Sequence, residues 1–304
     1  MGNKLSKVLG NPFCLYEHFA NRAVFRLIPD WLHLRLMFRG TVGVWPDLDD
    51  PKTYNEKLQW LKIHDRNPLY NKLVDKFRVK QWVAGRIGGE HVAKTYAKWD
   101  NAEDIDISNL PDQFVLKTNH DCGGVAICRN RAEFDLEAAQ KKLSSHLKIN
   151  YYWRTREWPY KDVEPCVFAE EYLDSGATGD IPDYKVSCFG GVPRLIEVHL
   201  GRSAEHTCDY FTPNWDPLPE IEWADIPKSK NAIEKPSCLD EMLRLSSLLT
   251  KGFPQARADW YILGDRLLFG ELTFFSDAGF GRMDEHTATM LGSWIDLGLA
   301  YDNR

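Results

Sequence analysis

A charged residue inside an otherwise apolar strand tolerates few folds, because it needs a partner on its own face. This chain sets two such strands one after the other. Arg257-Ala258-Asp259-Trp260-Tyr261-Ile262 runs into a turn near Gly264-Asp265, and Leu267-Leu268-Phe269-Gly270-Glu271-Leu272-Thr273 returns. Alternation with a period of two puts Arg257 and Asp259 on one face of the first strand, and Glu271 and Thr273 on one face of the second. Two carboxylates meeting beside a guanidinium can hold magnesium on a triphosphate. They can also form a plain arginine–carboxylate pair at the surface, although the apolar flanks predict buried strands. The metal reading makes a geometric demand, because directly opposed residues of an antiparallel hairpin share a face. A two-residue Gly264-Asp265 turn would send Asp259 and Glu271 to opposite faces. The sequence therefore predicts an odd-length loop, most simply Gly264-Asp265-Arg266, or a bulge that restores the parity.

A second constraint lies at Phe114-Val115-Leu116-Lys117, a short apolar strand closed by a lysine and followed by a polar loop that ends in Gly123-Gly124. A buried lysine needs an anion, and the amides of a mobile glycine-ended loop can fold over phosphates. The alternative is a lysine exposed to water where the strand ends. The loop is not a Walker A motif, since the chain has no Gly-Lys-Ser/Thr. In Val167-Phe168-Ala169-Glu170-Glu171-Tyr172-Leu173, a hydrophobic strand runs into a polar segment whose backbone could meet an adenine edge while a carboxylate takes a ribose hydroxyl.

Composition narrows the class of protein. With 43% hydrophobic and 27% charged residues in 304, the chain is globular. No uninterrupted apolar run approaches the ~18 residues of a membrane span. A net charge of −6 argues against nucleic acid as a partner. Seven scattered cysteines, odd in number and without a C-x-x-C pair, point to a reducing, cytoplasmic setting. Met1-Gly2-Asn3-Lys4-Leu5-Ser6 formally satisfies the myristoylation pattern, which chance supplies often.

Residues 1–70 read as a helical region; within 1–45, six basic residues face two acidic ones. Arg22, Arg26, Arg35 and Arg39 lie among Phe19, Phe25, Leu27, Trp31, Leu34, Leu36 and Phe38. This is a core-facing stripe or a surface that touches anionic membrane transiently, and core packing is the stronger reading. A helix restarts at Tyr54–Leu61, and others are expected over Leu73–Val83, Ala132–Ile149 and Leu239–Leu249. Hairpins and helices without regular βαβ alternation favour an α+β fold with lobes at 71–165 and 166–304.

Taken in order, Asp75-Lys76, Phe114-Val115-Leu116-Lys117 with its glycine-ended loop, Phe168-Ala169-Glu170-Glu171-Tyr172-Leu173, Arg257-Ala258-Asp259 and Gly270-Glu271-Leu272-Thr273 resemble the nucleotide elements of the ATP-grasp superfamily. The finer wording resembles its TupA-like branch, of teichuronopeptide biosynthesis. That match rests on Asn55-Glu56-Lys57-Leu58-Gln59-Trp60, Leu110-Pro111, Asp183-Tyr184-Lys185, Cys188-Phe189-Gly190-Gly191 and Phe269-Gly270-Glu271-Leu272-Thr273-Phe274, and the resemblance covers about residues 51–298. It implies an ATP-grasp fold with the nucleotide between two antiparallel sheets. It also implies an ATP- and Mg2+-dependent ligase that joins a carboxylate to an amine through an acyl phosphate, on a saccharide-linked substrate.

Carried over by residue, the resemblance places Lys76, Lys117 and the Gly123-Gly124 loop on ATP phosphates, and Glu170, Glu171 and Leu173 at the adenine hinge. Asp183 falls near the ribose with Lys185 beside it. Asp259, Glu271 and Thr273 fall on magnesium, and Arg257 beside the transferring phosphate. Thr273 stands where the wider superfamily has asparagine, and a hydroxyl binds magnesium less well than an amide oxygen does.

Smaller constellations remain. His199, Arg202 and His206 could line the acceptor site, with Arg202 the residue to meet a phosphate or carboxylate. His120 and Asp121 could do acid–base work or simply be solvated. Asp47-Leu48-Asp49 and Asp104-Ile105-Asp106 carry the letters of a sugar-nucleotide glycosyltransferase but lie in polar, turn-like segments. That transferase, or a nucleotide-binding module without turnover, is the alternative function.

Overall fold

The computed structural model describes residues 11–20, 22–173, 181–201, 205–223 and 226–300. Arg202 and the Met1-Gly2 pattern lie outside them. The chain opens with helices α1 (Cys14–Phe19), α2 (Asp30–Thr41), α3 (Tyr54–His64), α4 (Leu69–Leu73) and α5 (Arg78–Ile87). The helix α3 starts where the sequence places it, because Thr53 and Glu56 form a reciprocal capping box. The helix expected over Leu73–Val83 is broken in two. Asp75 Oδ1 accepts hydrogen bonds from the backbone N–H of Phe77 at 2.9 Å and of Arg78 at 3.0 Å. Its side chain thus starts α5 and leaves Lys76 between helices. There the Lys76 N–H donates to the Asn119 carbonyl at 2.8 Å.

Strands β1 (Thr95–Trp99), β2 (Phe114–Thr118) and β3 (Val125–Cys128) follow, then helices α6 (Leu136–Leu147) and α7 (Tyr152–Thr155) and strand β4 (Val167–Glu171). The strands form an antiparallel sheet in the order β1-β4-β2-β3. Phe114, Leu116, Val167 and Ala169 pack on Ala139 and Leu143 of α6. That helix begins at Leu136 and not at Ala132 because Asp135 caps it, accepting the Ala138 N–H at 2.9 Å. The lobe boundary at residue 166 needs correction. Every residue of Val167–Glu171 pairs with β2, so this strand belongs to the first sheet and the second begins at Asp183.

The second sheet contains β5 (Asp183–Phe189), β6 (Val192–Leu200), β7 (Thr207–Phe211), β8 (Gln255–Leu263) and β9 (Arg266–Thr273), ordered β7-β6-β5-β8-β9. Helix α8 (Leu239–Thr250) precedes β8, and α9 (Glu285–Trp294) follows β9, with a 3-10 turn at Leu297–Leu299 after it. Val186, Cys188, Ile196, Val198, Ala256 and Ala258 share a core with Met242, Leu245 and Leu249 of α8. Alternation turns the intervening residues to the other face, where Lys185 lies opposite both Glu197 and Asp259, and Ser187 opposite Arg257. A polar, buried sheet face of this kind must be matched by charge. The architecture is α+β, as expected.

The amino-terminal stripe divides. Leu34 and Phe38 are buried, whereas Trp31 is 53% and Leu27 87% exposed, so core packing accounts for only part of it. Among the described residues no helix is long and apolar enough to cross a membrane.

Candidate active site

The β8–β9 hairpin meets its geometric demand through a bulge. Leu263 pairs with Arg266, so the turn is the two-residue Gly264-Asp265 and the expected odd-length loop does not form. Trp260 pairs with Phe269, but Ala258 pairs with Leu272, so the register shifts by one beside Asp259. Glycine suits this position, since a Cβ on Gly270 would meet the Asp259 carbonyl oxygen at 3.2 Å. Beyond the bulge Arg257 pairs with Thr273, which brings Arg257, Asp259, Glu271 and Thr273 to one face.

Arg257 organises this group. Its Nε and Nη2 donate to the two oxygens of Asp259 at 2.7 and 2.9 Å, and Nη2 also reaches Thr273 Oγ1 at 3.3 Å and Glu271 Oε1 at 3.9 Å. Lys185 pairs with the same Asp259 carboxylate and with Asp183 at 2.9 Å. Burial pushes the Asp259 carboxyl up, but Arg257 and Lys185 outweigh it and hold the group below its ordinary value. Asp259 is sealed, whereas the Glu271 side chain is 41% exposed and faces a cavity.

That cavity, about 500 Å3, receives Lys76 and Asp121 from the first lobe, Arg257, Glu271 and Thr273 from the second, and Arg154 from α7. Lys76 Nζ donates to the Asp121 carbonyl and lies 3.9 Å from Glu271 Oε2. The glycine-ended loop is pinned, not mobile. Thr118 and His146 both hold Asp121, Asn119 donates to Asp75 at 2.9 Å, and His120 meets the Ile149 carbonyl at 2.9 Å. Burial raises the Asp121 carboxyl, and the Thr118 and His146 bonds more than reverse that. Gly124 must be glycine, since a Cβ would stand 1.9 Å from Thr118 Oγ1. Gly123 is exposed at the tip.

Lys117 and Glu170 behave differently from expectation. The Glu170 carboxylate, buried under α5, pairs with both Lys117 and Lys80. It is a counter-ion to two lysines, so its side chain is not free at an adenine hinge. Burial pushes Glu170 up, and the two ammonium groups hold it below its ordinary value. Glu171 forms a two-bond pair with Arg266 at 2.6 and 3.2 Å, tying the end of β4 to the start of β9. Leu173, just beyond, is half-buried.

The most informative residues were missed by sequence reasoning. Asp277, Ala278 and Gly279 all adopt left-handed backbone, with φ of 49°, 52° and 65°. Two consecutive non-glycine residues in this region are strained. Helix α3 holds them there. Gln59 Nε2 donates to the Ala278 and Gly279 carbonyls at 3.2 and 2.6 Å, Lys62 Nζ to Ala278 at 2.6 Å, and Asn55 Nδ2 to Gly281 at 2.7 Å. The loop presents Asp277 to the cavity, with its Oδ2 accepting Trp223 Nε1–H at 2.8 Å. The signal was polar residues at i, i+4 and i+7, which share one helix face. Arg282 and Arg154 also line the cavity, and neither carries an ion pair among the described residues.

Two antiparallel sheets with a charged cleft between them define the ATP-grasp class. The chain belongs to the TupA-like ATP-grasp family, whose model matches residues 56–296. No curated protein matches it. Among solved structures it is similar to D-alanine–D-alanine ligase of Bacillus anthracis in complex with ATP, at 17% identity and a TM-score of 0.43 over 69% of this chain and 58% of that one. It is also similar to the Helicobacter pylori D-alanine–D-alanine ligase, at 13% identity and a TM-score of 0.43 over 80% of this chain and 69% of that one. A third likeness is to N5-carboxyaminoimidazole ribonucleotide synthetase in complex with ADP, at 15% identity and a TM-score of 0.44 over 72% and 50%.

Proposed function

We propose that this protein is an ATP-dependent carboxylate–amine ligase. The observation that carries the reading is the convergence of Lys76, Arg257, Glu271 and Thr273 on one cavity between the two sheets. A carboxylate oxygen of the first substrate attacks the γ phosphorus of ATP, and the bond to the ADP oxygen breaks. An amine then attacks the acyl phosphate, phosphate leaves, and the nitrogen gives up a proton. Lys76, Lys117 and Arg257 offset the negative charge that develops at the phosphoryl group. The amides of the Gly123-Gly124 loop approach the phosphates, and the backbone from Glu170 to Leu173 takes the adenine edge. Asp183 takes the ribose, with Lys185 between it and Asp259. Asp277 is the base available to the amine.

The donor chemistry suits magnesium: Glu271 and Thr273 offer oxygens to the cavity, and Asp259 lies behind them with two cationic partners. Glu271 and Thr273 would hold magnesium, with Asp259 behind them, and the ion would supply positive charge against the phosphates. The guanidiniums of Arg154 and Arg282, without an ion pair among the described residues, suit an acidic acceptor, in keeping with a uronic acid of a cell-surface polysaccharide. Val24, Leu27 and Trp31, exposed beside Arg22 and Arg26, suit transient contact with an anionic membrane.

The test is ADP formation with uronic acids paired with amino acids. A ligase consumes ATP only when both substrates are present. A glycosyltransferase consumes none, and a binding module binds ATP without consuming it. The transferase reading loses its residues here, because Asp47 and Asp106 accept from backbone amides of their own turns.

A further inference from the structure

The strands β6 and β7 carry a cluster that the proposed ligation does not use. His199 lies directly opposite Cys208 in the ladder, and Glu197 falls two residues away on the same face. All three are more than nine-tenths buried, with exposures of 5% for Glu197, 7% for His199 and 1% for Cys208. His199 Nε2 stands 3.6 Å from Cys208 Sγ and 3.8 Å from Glu197 Oε2, and the three atoms lie within 4.8 Å of one another.

The sulfur–nitrogen separation is that of a zinc centre, and the nitrogen–oxygen one is about 0.4 Å longer than such a centre sets. A tetrahedral zinc with a sulfur at ~2.3 Å and a nitrogen at ~2.0 Å sets those two ligand atoms about 3.6 Å apart, and a nitrogen and an oxygen about 3.4 Å apart. The ligands also have outer partners of the kind that fix a metal-binding imidazole. His199 Nδ1 is 3.0 Å from His206 Nε2, so a proton on Nδ1 leaves Nε2 free to bind, and Ser187 Oγ donates to Glu197 Oε1 at 3.4 Å. Among the described residues no cation fills the gap between them. Lys185 lies opposite Glu197 in the ladder, but its ammonium is taken by Asp183 and Asp259.

We propose that Glu197, His199 and Cys208 form a second, zinc-type cation site, separate from the magnesium position at Glu271. One carboxylate and one thiolate neutralise a divalent ion, so the buried group carries no net charge. Binding breaks the S–H bond, forms a metal–sulfur bond and releases one proton to solvent. With three protein ligands, the fourth position is open to water. The ion joins β6 to β7 on the polar face that bears Asp183 and Lys185.

The test uses the whole chain, stripped with a chelator and titrated with cobalt(II) as a spectroscopic probe, then with zinc as competitor. One equivalent of cobalt should bind with a thiolate-to-metal charge-transfer band, and one equivalent of zinc should abolish that band. Cys208→Ser should remove the band and His199→Gln should weaken binding at least tenfold, while Cys122→Ser, at an exposed thiol, should change neither. A missing band, or one that survives Cys208→Ser, overturns the site. If Cys208→Ser does not fold, X-ray absorption of the zinc-loaded wild type decides. One sulfur at about 2.3 Å supports the site, and a shell of nitrogen and oxygen alone overturns it. Neither readout depends on ATP turnover, so the ligase reading stands or falls separately.

Discussion

Lys76 Nζ lies 3.9 Å from Glu271 Oε2, across the cleft that separates the first sheet from the second. The cation hangs from a break between two helices, and the carboxylate sits just past a strand bulge. Each local irregularity is needed for the two to meet in the cavity.

Glu271→Gln keeps the shape and removes the charge. Losing a metal-holding carboxylate should cut ADP formation at least ~100-fold, since each ~1.36 kcal/mol of lost stabilisation is tenfold in rate. Asp259→Asn should also lower turnover, by releasing Arg257 and Lys185 from the sealed carboxylate, and should cost stability that Glu271→Gln does not. Near-normal magnesium-dependent turnover in Glu271→Gln would falsify the assignment.

Glu170 holds two lysines, so its loss should cost stability as well as nucleotide. Glu170→Gln leaves Lys80, whose side chain is 14% exposed, without its carboxylate. Breaking a buried pair costs about 3–5 kcal/mol, which urea unfolding would read directly. Lys117→Ala, at a side chain 33% exposed, should cost less stability and mainly weaken ATP binding. The pH dependence has a definite sign. The folded-state pKa of Glu170 is depressed, so its contribution is full above the ordinary carboxyl value of 4.5 and fades as the pH falls further. A stability profile flat through this acid range would contradict the pairing.

Much of this site could be read from alternation and spacing, and what could not has physical causes. Arg257, Asp259, Glu271 and Thr273 declared a shared face, and only the choice between loop and bulge was open. Lys117 pointed to an anion but not to which one, because Glu170 lies 53 positions away and pairing between β2 and β4 leaves no local signature. The break at Asp75 was hidden by apolar spacing that continues across it. The brace at Asn55, Gln59 and Lys62 resembled an ordinary solvated helix face. Its carbonyl partners are more than 200 residues downstream, and backbone acceptors have no letter in the sequence.

That brace predicts an activity effect larger than its stability effect. Gln59→Leu removes the side-chain donor to the Gly279 carbonyl, leaves Ala278 with Lys62 alone, and loosens a strained loop. Unfolding free energy should drop by about 1–3 kcal/mol, while turnover falls more than tenfold as Asp277 leaves its position. Gly279→Ala should do the same, since a Cβ there meets Gln59 Nε2 at 2.5 Å. Wild-type turnover in either variant would mean that the loop serves the fold alone.

The amino-terminal helices carry a pH response of their own. His33 is fully enclosed, with Nδ1 2.9 Å from the Tyr16 hydroxyl and Nε2 3.1 Å from the Arg154 carbonyl. Burial, helped by the Arg156 charge, pushes the imidazole down to about 4. Because the folded value is depressed, the packing of α1 against α2 is intact above the ordinary imidazole value of 6.5 and weakens as the pH falls from there towards 4. Amide protection factors within 14–41, which divide out the fall of the intrinsic exchange rate with pH, should drop over that interval, and His33→Gln should remove the drop. Protection factors that stay constant from pH 7 to about 4 would rule out the buried neutral imidazole.

The same segment supplies the outer face for the proposed membrane contact. Val24 and Leu27 lie three residues apart in a 3-10 turn, so their side chains stand one above the other, 66% and 87% exposed. Arg22 and Arg26 flank them, in a chain whose overall charge is −6. Apolar insertion and attraction to anionic headgroups act together here, each arginine contributing about 1 kcal/mol at low salt and less as salt rises. Vesicles containing anionic lipid should sediment the protein at low ionic strength, and vesicles of neutral lipid should not. Leu27→Asp removes the inserted group and adds a repelled charge, and should abolish binding without altering the melting temperature, because an 87% exposed side chain supports little packing. Retention of Leu27→Asp on anionic vesicles would assign any binding to some other surface.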